Sequence, residues 1–185
     1  MEKNIAYVAL FAALIAALGL IPKLTLAFGV PITAQSLGVM LCGTILGAKR
    51  GGLAVLLFLL LVAIGLPLLS GGRGGLAVFA SAGAGFLLAW PLCAFIIGFI
   101  VEKWRSGSLF LVATIASIIG GIVVMYIFGI IGMAIVLDKT LPESAALMTA
   151  FVPGDIIKTV IAGLLTGAIA KTRPASLLSR PAINQ

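Results

Sequence analysis

Two opposite charges lie close together in FVPGDIIKTVIAG, at the start of an otherwise apolar run. Asp155 and Lys158 are three residues apart, so a helix would place both side chains on one face, about 5 Å apart along its axis. A carboxylate and an ammonium placed in this way can accept and donate hydrogen bonds to a polar ligand. A structural ion pair is the open alternative. It explains Asp155 through the helix dipole but leaves Lys158 unexplained, since a cation opposes the dipole there.

The overall composition shows what must surround this pair. Hydrophobic residues make up 62% of the 185 residues and charged residues 9%, too few polar side chains to cover a water-soluble domain. Because a transmembrane helix needs roughly 20 apolar residues, we predict an all-α integral membrane protein with six transmembrane helices and one domain, residues 1–185. The apolar runs are 5–21, 34–47, 53–66, one that begins between 76 and 83 and ends near 101, 109–137, and 155–170.

The basic residues orient these runs, because cytoplasmic loops collect Lys and Arg. One side of the predicted bundle holds Lys3, Lys49, Arg50, Lys103, Arg105, Lys171, Arg173 and Arg180. The other side holds Lys23, Arg73 and Lys139. This asymmetry predicts that both termini are cytoplasmic, so the run that carries Asp155 and Lys158 begins at the outer face. In the last outer loop, the T-x-x-E spacing of Thr140 and Glu143 predicts a capped short helix through Ala150.

Several chemistries are excluded by what the sequence lacks. It has no histidine, which removes the commonest general base and metal ligand. Cys42 and Cys93 lie in different apolar runs without metal-ligand spacing, so we predict buried thiols and no metal site. The segment GGRGG lacks the GK[ST] of a phosphate-binding loop. Any ATP-driven transport would therefore need an ATPase on another chain. The basic residues form no single patch, which argues against nucleic acid binding.

Three functions remain compatible with the charged pair. The first is a binding protein that performs no chemistry on its ligand, and the second is a carrier or channel for another small solute. The third is an intramembrane Ser/Lys hydrolase that uses Lys158 with Ser36 or Ser81. A hydrolase needs a deprotonated lysine, whereas Asp155 one turn away favours the ammonium form. We therefore predict that the protein is not an enzyme.

Two further patterns indicate contact surfaces. Ala9, Ala13 and Ala17 recur every four residues, which makes a smooth strip that another helix can approach closely. The strip predicts either a partner surface or internal packing. Thr33 and Gln35 lie at the outer end of the second run, where they can contact a ligand or cap the helix.

Taken together, these stretches resemble the BioY family, the substrate-binding S components of energy-coupling factor (ECF) biotin transporters. The resemblance rests on VPITAQSLGVMLCGTILGAKRGG, LPLLSGGRGG, AGAGFLLAWPLCAFIIGF and FVPGDIIKTVIAG, in that order. It implies a six-helix S-component fold in a prokaryotic cell membrane and biotin bound near the outer face, with no resident cofactor. It also implies coupling to a transmembrane partner protein and two ATPase subunits.

The resemblance also implies roles for individual residues. The family's PIT-x-Q signature falls on Thr33 and Gln35, its PGD-x-x-K signature on Asp155 and Lys158, and its coupling strip on the three alanines. Asp155 would accept ureido N–H bonds of biotin. Lys158 would donate to the ureido carbonyl or to the carboxylate, and both choices stay open.

One departure from the family concerns the start of the fourth helix. Where the family pattern has Gly-Gly-Tyr, this chain has Ala84, Gly85 and Phe86, so a tyrosine hydroxyl is missing. Glycines there would allow close approach to the ligand, and aromatic rings would form an apolar wall. Arg73 receives no role from the resemblance. The expected ligand-binding set is Asp155, Lys158, Thr33, Gln35, Gly83, Gly85, Phe86, Phe79 and Trp90.

Overall fold

The computed structural model describes residues 2–180, and almost all of its regular structure is helical. The helices are α1 (Glu2–Leu18), α2 (Gln35–Leu46), α3 (Ala48–Ala63), α4 (Ala84–Lys103), α5 (Leu109–Val136), α6 (Leu141–Met148) and α7 (Val152–Thr172). A two-residue antiparallel hairpin, β1 (Leu24–Thr25) and β2 (Pro31–Ile32), lies between α1 and α2. Short 3-10 turns cover Leu76–Ala80 and Pro174–Ser176. The prediction of an all-α chain is confirmed, apart from the hairpin.

Within residues 2–180, three helices are long and apolar enough to cross a membrane: α4, α5 and α7, with 20, 28 and 21 residues. At 1.5 Å per residue each reaches about 30 Å or more. The other three predicted runs also form helices, but α1 and α3 have only 17 and 16 residues, and α2 is a shorter apolar helix. A single residue, Gly47, separates α2 from α3, and its φ of 86° allows the chain to turn sharply there.

Two of the helices contain a π-helical turn, Cys42–Leu46 in α2 and Ile119–Val124 in α5. In α5 this turn brings Gly120 and Gly121 against the neighbouring helices. A Cβ at Gly120 would overlap Cγ1 of Ile97, and one at Gly121 would lie 2.6 Å from Cε of Met40. The glycines of the fifth run therefore serve close packing of α5 against α4 and α2.

The outward faces of the bundle are apolar as well as its core. Buried residues such as Phe58 and Ile97 are fully covered, while Leu111, Ile127 and Leu164 on the outside keep more than half of their surface exposed. Apolar surface on this scale is unfavourable in water. It matches the hydrocarbon environment that the composition predicts.

One end of the bundle is closed by the chain's last described segment. The backbone N–H of Ser179 donates to the Ile45 carbonyl at 2.9 Å, and Nε of Arg180 donates to the Val101 carbonyl at 3.0 Å. These carbonyls lie in the last turns of α2 and α4, where intrahelical partners are missing. At the same end, Glu102 accepts a bond from the first backbone N–H of α3 at 2.9 Å.

The opposite end of the bundle carries the hairpin, the loop between α3 and α4, helix α6 and the start of α7. Helix α6 begins with the predicted capping box: the Thr140 side chain accepts from the Glu143 backbone, and the Glu143 carboxylate accepts from the Thr140 backbone at 2.8 Å. The hydrogen bonds to Thr140 hold the pKa of Glu143 below its usual range. The loop between α3 and α4 turns through Gly71, Gly72 and Gly75, all with positive φ.

Candidate ligand-binding site

A cavity opens among β2, the loop between α3 and α4, and the first turns of α2, α4 and α7. The space between its lining atoms, including the part that is open to solvent, is about 620 Å³. Its polar lining consists of Thr33, Gln35, Ser36, Arg73, Ser81, Asp155 and Lys158. Five of these seven side chains are therefore outside the helix turn that first suggested a site.

Asp155 and Lys158 form an ion pair at this cavity. Lys158 Nζ lies 2.9 Å from Oδ1 of Asp155, and Asp155 is only 4% exposed. Two other helices contribute partners: the Tyr126 hydroxyl of α5 donates to Oδ2 of Asp155 at 2.8 Å, and Lys158 donates to Oγ of Ser36 in α2 at 2.9 Å. The structure thus contains the ion pair of the structural alternative and also exposes it to the cavity.

The two charged groups keep hydrogen-bonding capacity after these contacts. An ammonium has three N–H donors and a carboxylate about four acceptor positions. Within the described residues, Lys158 has used two donors and Asp155 has used two acceptor positions. One donor and two acceptor positions remain. A ligand group with adjacent N–H donors and a carbonyl matches what remains.

Gln35 is bonded differently from the expectation that it contacts a ligand directly. Its Nε2 donates to the carbonyls of Ile15 and Leu68 at 3.1 and 3.0 Å, and its Oε1 accepts from the Ser70 backbone at 2.9 Å. Gln35 lines the cavity, but its amide holds the end of α1 and the loop between α3 and α4. Thr33 lines the cavity too, and its Oγ1 accepts from the Gln35 backbone at 3.3 Å.

The expected glycines and aromatic residues divide into two groups. Gly83, Phe86 and Trp90 line the cavity. Within the described part of the chain the lining does not include Gly85 or Phe79. A Cβ at Gly85 would overlap the Phe128 carbonyl, so this glycine serves the contact between α4 and α5. The ring of Phe79 packs against the core. We therefore leave Gly85 and Phe79 out of the site.

The apolar wall of the cavity is built from aromatic rings that contact one another at tilted angles. The Phe86 and Phe151 centroids are 5.9 Å apart, and Trp90 lies 6.1 Å from Phe58. Both contacts fall in the range of favourable aromatic pairs. Phe86, Trp90 and Phe151 face the cavity, so the wall can cover flat apolar rings and an alkyl chain.

Four residues at the site were missed by sequence reasoning or given another role. Tyr126 is one of only two tyrosines in the chain and lies in an apolar run. A polar hydroxyl inside a predicted membrane span could have indicated a functional residue. Phe151 begins the quoted stretch, and Ser36 follows the PIT-x-Q signature. Arg73 lines the cavity from the loop between α3 and α4. Its position in space was not accessible from the sequence.

The structure contains the serine–lysine contact that the hydrolase hypothesis requires, but not a lysine that can act as a base. Ser36 Oγ is 2.9 Å from Lys158 Nζ, but Lys158 is ion-paired with Asp155 at the same distance. An ion-paired ammonium cannot accept the serine proton. Ser81 Oγ donates to the Val78 carbonyl of its own turn at 2.7 Å.

The alanine strip lies on the outside of the bundle. Ala9, Ala13 and Ala17 are all exposed, whereas Ala12 on the adjacent face is buried. Within residues 2–180 the strip is therefore not part of the packed interior. Elsewhere, Cys42 and Cys93 are buried free thiols, and no group of three potential metal-binding side chains occurs within residues 2–180.

Comparisons with known proteins decide the family. The family model of BioY matches residues 2–175. The chain belongs to the BioY family. It is 51% identical to the biotin transporter BioY of Rhodobacter capsulatus over 97% of this chain and 100% of the relative. It is 53% identical to the biotin transporter BioY of Rhizobium etli over 90% of this chain and 92% of that one.

A solved structure shows the same architecture. The S-component for biotin from an ECF-type ABC transporter superposes with a TM-score of 0.88 at 32% identity, covering 92% of each chain. The resemblance noted in the sequence is thereby confirmed, and the fold is that of an ECF S-component.

Proposed function

We propose that this chain captures biotin at the outer face of a prokaryotic cell membrane, as the S component of an ECF-type transporter. The whole chain forms one transmembrane substrate-binding domain with six helices and cytoplasmic termini. It performs no chemistry on its ligand. A transmembrane coupling protein and two ATPase subunits supply the energy for uptake.

The observation that carries this proposal is the ion pair of Asp155 and Lys158 at the cavity. Within the described residues, the pair leaves one donor and two acceptor positions without a partner. These positions complement a ureido group, which presents a carbonyl beside two N–H donors. The hydrogen bonds accepted by Asp155 are charge-assisted and therefore strong. Burial of the pair excludes water that would compete for these bonds. Tyr126 and Ser36 hold the pair in place from two other helices.

The rest of biotin fits the remaining lining. Its thiophane ring and valeryl chain lie against Phe86, Trp90 and Phe151, which supply an apolar wall. The carboxylate pairs with Arg73, the cavity's second lining cation, because the ion pair already serves the ureido group. Gly83 leaves room beside the ligand, since the nearest atom to a Cβ placed there is Ser81 Oγ at 3.8 Å.

The outward alanine strip supports the proposed coupling role. Ala9, Ala13 and Ala17 expose their small side chains on α1, and small residues allow two helices to approach closely in a bilayer. None of the three lines the ligand cavity within the described residues. Binding and coupling therefore use separate surfaces of the chain.

Binding measurements on the solubilised protein test this proposal. We expect biotin to co-purify with the wild type, and Asp155→Asn to lose most of the affinity. Asp138→Asn is a matched control, because Asp138 is exposed and outside the cavity, and its φ of 52° is one that asparagine tolerates. Binding of another vitamin in preference to biotin would contradict the proposal and favour a carrier for a different solute.

The orientation of the ligand has its own test. If Arg73 pairs with the carboxylate, biotin amide should bind the wild type as weakly as biotin binds Arg73→Met. The Arg73→Met variant should then no longer distinguish biotin from its amide. A variant that keeps this preference would show that another group, such as Lys158, receives the carboxylate.

A further inference from the structure

The side-chain amide of Gln35 joins three separate parts of the chain. It bonds the carbonyl of Ile15 near the end of α1, the carbonyl of Leu68 and the backbone N–H of Ser70, at 3.1, 3.0 and 2.9 Å. Gln35 itself is in the first turn of α2 and is 1% exposed. One buried amide therefore links α1, α2 and the loop between α3 and α4. We call these hydrogen bonds of Gln35 the amide junction.

These bonds leave little capacity for a ligand. Both Nε2 protons are used, and one of the two acceptor positions of Oε1 is occupied. A buried amide that gave up any of these bonds for a ligand would leave a backbone group unpaired, which is costly. Gln35 thus acts on the cavity through the segments that it holds.

Gly19, the residue that follows α1, packs closely against the amide junction. A Cβ at Gly19 would lie 2.6 Å from the Leu68 carbonyl oxygen and 2.9 Å from Nε2 of Gln35. Backbone and amide atoms cannot yield to such a contact as a flexible side chain can. Movement of the loop at Leu68 must therefore be accompanied by movement of α1 or by loss of the Gln35 bonds.

The two segments held by Gln35 face the two surfaces that transport requires. In the loop, Leu69 and Arg73 line the cavity on either side of the bonded residue Ser70. On α1, the buried face carries Ile15, while Ala13 and Ala17 lie on the exposed strip. Gln35 therefore connects a segment that lines the cavity to the helix that carries the strip.

We propose that Gln35 is a positioning residue that couples occupancy of the cavity to the position of α1, so that the partner-facing strip responds to bound ligand. The inference rests on the proposed function, because it takes biotin as the ligand. Such coupling is reciprocal: a partner that holds α1 in the ligand-bound position also favours the ordered loop.

Hydrogen exchange in the full-length protein, measured by mass spectrometry with and without saturating biotin, tests this inference. In the wild type, biotin should slow exchange in residues 66–75, 15–20 and 153–158. In Gln35→Met and Gln35→Glu, biotin should still slow exchange at 153–158 but no longer at 15–20. Affinity should fall only about three- to tenfold, because the direct ligand contacts remain.

Gly19→Ala is a second variant that disrupts the amide junction at the end of α1 and does not alter a cavity residue. It should also abolish the response of residues 15–20, and combining it with Gln35→Met should add little, since both break one junction. Gly51→Ala is the matched control. A Cβ there would lie 2.6 Å from the Cys42 carbonyl oxygen, a backbone contact of the same kind that does not involve the residues bonded by Gln35.

The outcomes separate this inference from the proposed function. A wild type that binds no biotin overturns both. A wild type that binds biotin without slower exchange at residues 15–20 overturns the inference alone. Retention of the α1 response in biotin-bound Gln35 variants, or in Gly19→Ala if the Gln35 variants do not fold, overturns it as well.

Discussion

The substitution Asp155→Asn separates a ligand contact from a purely structural ion pair. The change keeps the size of the side chain, removes its charge and turns one acceptor oxygen into a donor. In the structure Oδ1 accepts from Lys158 at 2.9 Å and Oδ2 from Tyr126 at 2.8 Å. We expect asparagine to turn its oxygen to the ammonium and its NH₂ to the tyrosine oxygen, because the phenol can accept as well as donate.

The expected loss of affinity follows from this arrangement. The NH₂ group replaces the carboxylate oxygen next to Tyr126, so an acceptor position for a ligand N–H disappears. The remaining carbonyl oxygen of asparagine carries no charge. Loss of a charge-assisted bond with an N–H group left unpaired costs about 2 to 4 kcal/mol. This corresponds to roughly a thirty- to thousand-fold loss in biotin affinity.

The same substitution also affects the protein without ligand. Lys158 would stay as an uncompensated charge, with its side chain only 14% exposed. Breaking a buried ion pair from one side destabilises by about 3 to 5 kcal/mol, and partial exposure places this case at the lower end. Lys158→Met in the same chain removes the remaining charge and should restore part of the stability.

The assay compares biotin affinity and the melting temperature of the ligand-free protein. The variants are Asp155→Asn, Lys158→Met, the double variant and the control Asp138→Asn. We expect each single variant and the double variant to bind biotin weakly, and the double variant to melt higher than Asp155→Asn. If all of them bind biotin like the wild type while the melting temperatures show the rescue, the pair is structural only and the site assignment is wrong.

Four further predictions concern other parts of the chain. Ala13→Leu should leave biotin affinity within a few fold but reduce uptake in cells with the partner module, and equal loss of both would count against a coupling surface. Protease cleavage at Gly72 should slow when biotin is added, because loop closure would shield the site from water; unchanged cleavage at saturating biotin would refute closure. Tyr126→Phe should lower ligand-free stability by about 1.5 to 3 kcal/mol, since Asp155 loses a hydrogen bond, and an unchanged unfolding midpoint would count against that bond. Ser179→Ala should lower stability by about 1 kcal/mol with unchanged biotin affinity, because it removes the buried hydroxyl that donates to the Thr44 carbonyl, and a loss of affinity would show that the tail acts on the cavity.

Local patterns predicted much of the fold. The six apolar runs, the capping box at Thr140 and the shared face of Asp155 and Lys158 depend on residues within one or two helical turns, so spacing alone was sufficient. Helix ends were less predictable. The first run was expected to reach residue 21, but α1 ends at Leu18, because Gly19 favours a helix end and Pro22 disfavours helical backbone at Ile21.

The structure adds several residues to the predicted site and removes others from it. Gly83 and Gly85 are two residues apart in the sequence, and both were expected beside the ligand. Only one faces the cavity, because the other is needed where α4 meets α5. Gln35 was expected to bind ligand directly, but its side-chain amide forms hydrogen bonds with the backbone of Ile15 and Ser70 instead. Such differences depend on which helix packs on which face.

The sequence by itself determined the class of the protein, because composition sets the solvent in which a chain can bury its surface. It also determined which charges share a turn, because helix geometry fixes neighbours at three and four residues. Only the tertiary structure decided that Tyr126, 29 residues away, and Ser36, 122 residues away, hold those charges at a cavity. Contacts between distant segments arise from the packing of whole helices, and no local spacing records them.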